Sequence, residues 1–319
     1  MATSRNKRSR KGSALLMVLW LTAALSAVGL AVANNVRAET ERTETNVDDA
    51  RSYFVARGAI ERAALHILWG RQYFTDDGLP IYYVTGSPSM DLAFPSADVH
   101  VDVIPENSKL SLNGSRPEDI LRLLLALGTP EDRATEITTA IVDWRSPAEP
   151  MHPSPFDSFY LGQSPSFMAR HASFQENEEL LLVKGMTAEL YYGSSLASNH
   201  AGLRDCLSVY GTTGAVDINT AQPATLQAIG LAPADADTIA ASRAQHPVLN
   251  NKELADIAQS LGPAGFRLQI GGKTMFTLRA TARLRQPDGK LSDLRRTVGA
   301  LVKIYFPGRF DVVRWFDRI

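Results

Sequence analysis

The stretch SALLMVLWLTAALSAVGLAVA, from Ser13 to Ala33, decides how the N-terminal part of this chain folds. It contains no charged residue, and a helix needs roughly 20 such residues to cross the hydrocarbon core of a membrane. The residues before it include basic side chains but no acidic ones. These basic residues are Arg5, Lys7, Arg8, Arg10 and Lys11. Because a basic flank stays on the cytoplasmic side, we expect a membrane-spanning helix with the rest of the chain beyond the membrane.

The helical pattern continues past the apolar stretch. Residues 34–49 are mostly polar but contain neither Pro nor Gly. Apolar residues then recur at helical spacing. They are Val47, Ala50, Phe54, Ile60, Leu65 and Leu68. The sequence therefore predicts one helix from Ala14 to about Trp69, membrane-buried in its first half, amphipathic in its second and ended by Gly70.

The two halves of this helix are expected to pack on different partners. The second half has an apolar face suited to the chain's own domain. The first half has no domain to pack on, and it is rich in small residues that allow helices to approach closely in lipid. These are Ala14, Ala23, Ala24, Ser26, Ala27, Gly29, Ala31 and Ala33.

A cleaved secretory signal is the alternative reading of this start. A signal has a shorter apolar core followed by a small-residue cleavage site. Here the apolar run is long, and the small residue that could mark a cut, Gly12, comes before it. This order favours a retained membrane segment.

Strand patterns lie on both sides of a helical block. Val99, Val101 and Val103 alternate with polar residues, and Lys109–Asn113 would be the returning strand of a hairpin. From Gly114 the period becomes helical, and at Thr274 it returns to two. Two strands then flank the turn Pro287-Asp288-Gly289, and a last strand is expected from Val312 to Phe316. We therefore expect helices inserted into a strand-rich domain.

Composition and charge argue against several function classes. The chain has 33 basic and 34 acidic residues, and residues 1–12 carry five of the basic ones, so a chain without them is clearly acidic. Such a chain is a poor binder of a phosphate backbone. The single cysteine, Cys206, cannot form an internal disulfide, and its apolar neighbours indicate a small buried residue. The six histidines lack metal-ligand spacing and no nucleophile motif is present, so we expect no enzyme.

The basic leader ending in Gly12, followed by an apolar segment that runs into an amphipathic helix, resembles the type IV pilin and pseudopilin families. Most members have Glu five residues into the mature chain, where this sequence has Met17. This departure resembles one branch, minor pseudopilin K of type II secretion (general secretion pathway protein K). The resemblance implies that prepilin peptidase cuts between Gly12 and Ser13, that Ser13 is then methylated, and that Met17 belongs to a subunit at the filament tip.

The resemblance also implies a fold and an assembly. The expected fold is α+β, with a long N-terminal helix on a small antiparallel sheet and a large all-α domain inserted between strands. The expected ranges are 1–12 for the leader, 13–70 for the helix, 71–113 and 273–319 for the pseudopilin domain, and 114–272 for the insertion. Expected partners are I- and J-type minor pseudopilins, the assembly platform and prepilin peptidase, with the globular part in the periplasm and no nucleic acid bound. The expected residues for anchoring in the inner membrane and for assembly are Leu15, Leu16, Trp20, Leu25 and Gly29.

Two further motifs leave alternatives open. Residues 217–243 resemble a helix-hairpin-helix, which in other proteins grips DNA through amides at helix N-termini. A membrane-anchored DNA-binding protein of a competence or type IV pilus-like system is therefore the alternative function, although Ala232 replaces a turn glycine. Family members can bind calcium near the Asp143 region. Asp143, Glu149 and Asp157 are weak calcium candidates here, and no other cofactor is expected.

Overall fold

The computed structural model describes residues 10–148, 154–193 and 201–317, and for residues 10–13 the backbone alone. The α-helices are α1 (Arg10–Trp69), α2 (Pro117–Ala126), α3 (Glu131–Arg145), α4 (Asp157–Leu161), α5 (Ala188–Tyr192), α6 (Leu203–Cys206), α7 (Pro223–Ala228), α8 (Pro233–Arg243) and α9 (Asn251–Ser260). The strands are β1 (Ser89–Phe94), β2 (Ala97–Pro105), β3 (Leu110–Ser111), β4 (Leu207–Ser208), β5 (Val216–Asp217), β6 (Leu268–Gln269), β7 (Met275–Leu284), β8 (Arg296–Tyr305) and β9 (Arg309–Phe316). Short 3₁₀ helices span Glu106–Ser108, Asn177–Leu182 and Gly262–Arg267.

Helix α1 is one uninterrupted helix, as predicted, although it begins at Arg10 rather than at Ala14. It ends after Trp69, where the amide of Gly70 donates a hydrogen bond to the carbonyl oxygen of His66 at 2.8 Å. A Cβ atom at position 70 would lie 2.3 Å from the carbonyl oxygen of Tyr83. Glycine is therefore required where the chain leaves the helix and passes close to the following loop.

The main sheet is antiparallel, and within the described residues it has five strands in the order β1-β2-β7-β8-β9. Alternate residues of β2, β7 and β8 point to one face, and the second half of α1 packs across that face. This sheet core joins small and branched side chains of α1, among them Ala56, Ile60 and Ile67, to the apolar face of the strands. Its buried strand residues include Val99, Val101, Val103, Leu278, Ala280, Ala282, Val298, Ala300 and Val302.

The pairing of Lys109–Asn113 differs from the predicted hairpin. Of this segment only Leu110–Ser111 is a strand, and it pairs in parallel with β4 instead of returning along β2. The neighbours of β2 are β1, which the sequence did not reveal, and β7. The hairpin prediction was wrong because β2 finds its second partner far along the chain, after the helical residues.

The helices between β2 and β7 share a second hydrophobic core, here called the helical core. It runs from Leu110 to Leu268 and includes side chains of α2, α3, α7 and α8. Two short parallel pairs, β3–β4 and β5–β6, lie in the same region. The α+β fold class is confirmed, whereas the predicted domain limits remain a prediction, and Leu110 and Leu112 already pack in the helical core.

Candidate functional site: the exposed N-terminal helix

The first part of α1 is apolar and entirely exposed. Every residue from Ala14 to Val47 is exposed, including Met17 at 72% and Trp20 at 74%. Leu15, Leu16 and Leu25 are exposed to similar degrees, and a Cβ atom built on Gly29 meets nothing within 4 Å. Large apolar side chains in contact with water are unfavourable. This part of α1 therefore needs a covering that the described part of the chain does not supply.

Length and composition make α1 a candidate membrane span. Its apolar window lies near the N-terminus, and none of that window is buried inside the protein, unlike the core helix of a globular protein. With about 1.5 Å of rise per residue, Ser13 to Ala33 spans roughly the 30 Å of a hydrocarbon core. The helix then continues without a break into the sheet core. The apolar segment and the globular part are thus one rigid element.

An uncharged stripe continues along α1 beyond the apolar segment. It follows alternating steps of four and three residues, and the intervening charged residues lie on the flanks of the helix. Two hydroxyl groups in the stripe bond back to the helix, from Thr40 to the carbonyl of Val36 at 2.9 Å and from Thr43 to that of Glu39 at 2.8 Å. This stripe, called the outer seam, consists of Val36, Thr40, Thr43, Val47, Ala50 and Phe54.

The outer seam is suited to packing against another helix. At about 100° per residue, it lies on the side of α1 opposite Ala56 and Ile60, which face the sheet. Phe54 at the end of the seam is 68% exposed. Steps of four and three residues give the seam along which a second helix packs in a left-handed pair. The sequence analysis assigned Val47, Ala50 and Phe54 to the face that packs on the chain's own domain, and this was wrong: all three are exposed, on the side of α1 that points away from the sheet.

The expected processing position lies at the very start of α1. The backbone of Gly12 and Ser13 is helical, and their side chains are not described. Most of the leader, residues 1–9, falls outside the described residues. Processing between Gly12 and Ser13 therefore remains a prediction.

The carboxylates proposed for calcium pair with protein groups instead. Ser154 Oγ donates to Asp143 Oδ2 at 2.6 Å, and His171 Nε2 lies 3.0 Å from Asp157 Oδ1. Although burial lowers the pKa of His171, its hydrogen bond with Asp157 and the charges of Asp157 and Asp143 raise it above its ordinary value. Glu149 lies outside the described residues, and the described part of the chain contains no group of three metal-ligating side chains. Calcium binding by Asp143, Glu149 and Asp157 therefore remains a prediction.

The helix-hairpin-helix segment is a packing unit in this structure. Its turn carries Gly230 at φ +107°, and α7 packs on α2. Arg243, the basic residue that could face a phosphate, points inward and donates to the carbonyl of Ile218 at 2.7 Å. Asp235 and Asp237, at the start of α8, are exposed. No feature of this turn favours a nucleic-acid contact.

The titratable side chains of Cys206 and Glu106 are both buried. Cys206 is completely buried, as predicted, and burial raises the pKa of its thiol to about 12, so the reactive thiolate is disfavoured. Glu106 lies in the connection between β2 and β3, yet it is only 2% exposed. It accepts hydrogen bonds from Lys109, Ser208 and Thr277. It therefore joins β7 of the sheet to β4 of the helical region.

Comparison with known proteins agrees with these features. Residues 107–193 match the family model for the type II secretion system, protein K. The type II secretion system protein K of Klebsiella pneumoniae is 28% identical over 240 residues, which cover 68% of each chain. The chain is therefore similar to protein K of the type II secretion system. In a crystal structure of the GspK-GspI-GspJ complex from enterotoxigenic Escherichia coli, a chain with 17% identity has the same fold, with a TM-score of 0.56 over 87% of this chain and 99% of that one.

The similarity to protein K agrees with the two-part architecture. The family model covers part of the helical region, and the structural match covers 87% of this chain. An apolar helix suited to single-pass anchoring is what a secretion-system component of this kind needs. None of these findings favours the DNA-binding alternative.

Proposed function

We propose that this chain is a structural minor pseudopilin that takes part in protein secretion across the outer membrane. The single observation that carries the proposal is the exposed apolar half of α1, joined without a break to a helix that packs in the sheet core. One half of the element is free to associate with lipid and sister helices, while the other half fixes it to the globular body. The family match supports the same role, which is one of assembly and not of catalysis.

The proposed location is the inner membrane, with the globular part in the periplasm. The basic residues before Ser13 support a cytoplasmic N-terminus, because cytoplasmic flanks carry an excess of Lys and Arg. After cleavage between Gly12 and Ser13, the mature chain would keep the apolar segment as its anchor. The globular part would then stand well clear of the membrane surface, on the exposed middle part of α1.

The proposed partners are the I- and J-type minor pseudopilins and the assembly platform. The related Escherichia coli structure is a complex of K, I and J proteins, which supports this choice. The membrane half of α1 and the outer seam offer a continuous uncharged surface from Leu15 to Phe54 for their helices. Helices in lipid associate through such close packing.

The proposed position is the tip of the filament. Met17 stands where related subunits carry a Glu, and a buried carboxylate is tolerated only when it is paired. A subunit with no neighbour above it has no such pair to make. An apolar, exposed residue at position 17 is therefore consistent with the terminal place.

The processing step provides the test. We expect co-expression with prepilin peptidase to remove residues 1–12 and to leave a methylated N-terminus at Ser13, measured by intact-protein mass spectrometry. Gly12→Leu should keep the leader, because a bulky side chain stands at the cleavage position. Gly29→Ala is the matched control: it lies in the same apolar segment, has free space for a Cβ atom, and should be processed normally.

Either of two results would refute the proposal. One is a chain that keeps its leader in the presence of active peptidase. The other is a mature protein that begins near Asn34, because a cut there would make the apolar stretch a removed signal.

A further inference from the structure

A cleft lies between the sheet and the helical region. Its volume is about 620 Å³, within the range of ligand-binding sites. The side of the sheet that does not contact α1 forms one wall, through Arg279 of β7 and Leu301 of β8. Helices α5 and α6 form the opposite wall, through Tyr192 and Asp205. The cleft uses none of the residues proposed for anchoring or processing.

One end of the cleft has more guanidinium groups than carboxylates. Asp205 faces both Arg204, at 3.9 Å, and Arg279, at 3.6 Å. Its second function is to cap α6, by accepting from the amide of Gly202 at 3.1 Å. Asp102 lies opposite Arg279 in the β2–β7 register, but its carboxylate contacts the imidazole of His100, at 3.4 Å. The positive charge at this end is thus only partly balanced.

Arg279 also has an unused donor. Its Nε atom is buried, and within the described residues it has no hydrogen-bond acceptor. The distance of 3.6 Å between Arg279 Nη2 and Asp205 Oδ1 is an ion pair longer than a good hydrogen bond. A buried charged donor without a partner is unfavourable. A carboxylate entering the cleft would balance the remaining positive charge of Arg279 through its exposed part.

The opposite end of the cleft needs no further partner. There Arg314 of β9 reaches Glu176 and Glu178, each at 3.2 Å. These two carboxylates outnumber the single guanidinium, but their side chains are 62% and 42% exposed, so water solvates the excess charge. Charge complementarity therefore selects an acidic group, and it selects the Arg279 end.

The rest of the lining favours a peptide over a small anion. Exposed side chains along the cleft are large and partly apolar, with Tyr192 at 47%, Tyr210 at 44% and Val313 at 46%. Arg204 stacks on Tyr192 with 5.3 Å between the guanidinium carbon and the ring centre. Tyr and Arg are enriched where proteins recognise other proteins. Val313 is an extra residue in β9, since Val302 pairs with Val312 and Leu301 with Arg314, and this bulge turns it outward.

We propose that this cleft binds an extended peptide segment of a partner protein, with one Asp or Glu side chain seated against Arg279. The peptide lies in the cleft between the sheet and helices α5 and α6. Its apolar side chains contact Tyr192, Tyr210 and Val313. This site is independent of the membrane anchor.

The test compares two peptides on the full chain in detergent micelles. The probes are fluorescein-labelled Thr-Val-Tyr-Glu-Val-Thr and the same peptide with Gln in place of Glu, followed by fluorescence anisotropy. We expect the Glu peptide to bind about tenfold more tightly, the scale of one charge-assisted hydrogen bond. Arg279→Gln should remove this preference, so that both peptides bind this variant equally weakly.

Arg283→Gln is the matched control. Arg283 lies on the same strand and the same sheet face, and its side chain is 32% exposed compared with 33% for Arg279, but it donates to the carbonyl of Ser292. This variant should keep the full preference for the Glu peptide. Equal binding of both peptides to the unaltered chain, no binding up to 1 mM peptide, or an equal loss in Arg283→Gln would overturn the proposal. None of these results would affect prepilin processing, so the two proposals fail separately.

Discussion

At the scale of single residues, Glu106 is a carboxylate buried between the sheet and the helical region. It lies just after β2, where the chain leaves the sheet for the helical region. Burial alone would raise its pKa, but the charge of Lys109 and the hydrogen bonds from Ser208, Thr277 and Lys109 hold the pKa of Glu106 below its ordinary value. Its charge therefore depends on partners from both cores.

Replacing Glu106 should weaken this junction. We expect Glu106→Gln to lower the free energy of unfolding by about 3 kcal/mol, because Lys109 is left buried without its carboxylate. The measurement is chemical denaturation of the full chain in detergent. Glu178→Gln is the control: the side chain of Glu178 is 42% exposed and pairs with Arg314 in contact with water, so its loss should cost less than about 0.5 kcal/mol. Equal effects of the two variants would contradict this role for Glu106.

The same carboxylate gives a prediction for pH. Because its pKa is lower in the folded state, Glu106 contributes its full stabilisation above its ordinary value of 4.5 and loses it as the pH falls through the folded value. The difference in unfolding free energy between the unaltered chain and Glu106→Gln should therefore shrink below about pH 4.5. A difference that is constant from pH 7 to pH 3 would show that the charge of Glu106 is not involved.

At the scale of elements, Gly58 within α1 and Gly70 directly after it have opposite requirements. A Cβ atom at Gly70 would lie 2.3 Å from the backbone of Tyr83, whereas one at Gly58 would meet nothing within 4 Å. We expect Gly70→Ala to destabilise the protein by about 1–3 kcal/mol, because the loop that carries Tyr83 must move. Gly58→Ala should stabilise it by about 0.5–1 kcal/mol, because Ala is the better helix former. Thermal unfolding of both variants is the measurement. A loss of stability in both would show that the contact between a Cβ atom at position 70 and Tyr83 is not what decides the stability change.

The outer seam of α1 predicts an assembly defect without a folding defect. Phe54→Glu places a charge on the seam, and we expect it to reduce co-purification with I- and J-type partners several-fold. Its own unfolding free energy should change by less than about 0.5 kcal/mol, since Phe54 is exposed. Thr45→Glu, at an exposed position on another face of α1, is the control and should assemble normally. Normal co-purification of Phe54→Glu with these partners would show that the outer seam is not part of the interface.

The elements that could be predicted from sequence are those with a strong local period. Helix α1 and strands β7 and β8 follow from apolar residues repeated over many positions, and the structure confirms all three. Strand β1 and the parallel pairing of Leu110 with Leu207 escaped prediction, because such short segments acquire their conformation from partners distant in the chain. The exposed anchor was predictable from composition, whereas the burial of Glu106 and the underpaired Arg279 depend on two cores meeting in space.

At the scale of the whole molecule, the chain consists of an exposed anchor and two hydrophobic cores. The sheet core is built from α1 and the long strands, and the helical core from the segment between β2 and β7. Side chains from Ala14 to Val47 contribute to neither. Folding of the globular part therefore does not depend on the apolar segment.

Removing the apolar segment should release the protein from the membrane without changing the stability of its globular part. We expect a chain that begins at Asn34 to be soluble without detergent and to unfold at the same temperature as the full chain in detergent. The full chain should remain in the membrane fraction after alkaline carbonate extraction, because its apolar helix is surrounded by lipid. Unfolding of the shortened protein at a clearly lower temperature would show that the segment packs on the globular part.

The continuity of α1 has a mechanical consequence. A helix of 60 residues, at about 1.5 Å each, is a rod of roughly 90 Å, and its far end is clamped in the sheet core. Between the apolar segment and the part of α1 in the sheet core there is neither a break in the helix nor a Pro kink that would absorb a displacement. An axial force on the apolar N-terminal end of α1 is therefore transmitted along the helix to the globular part.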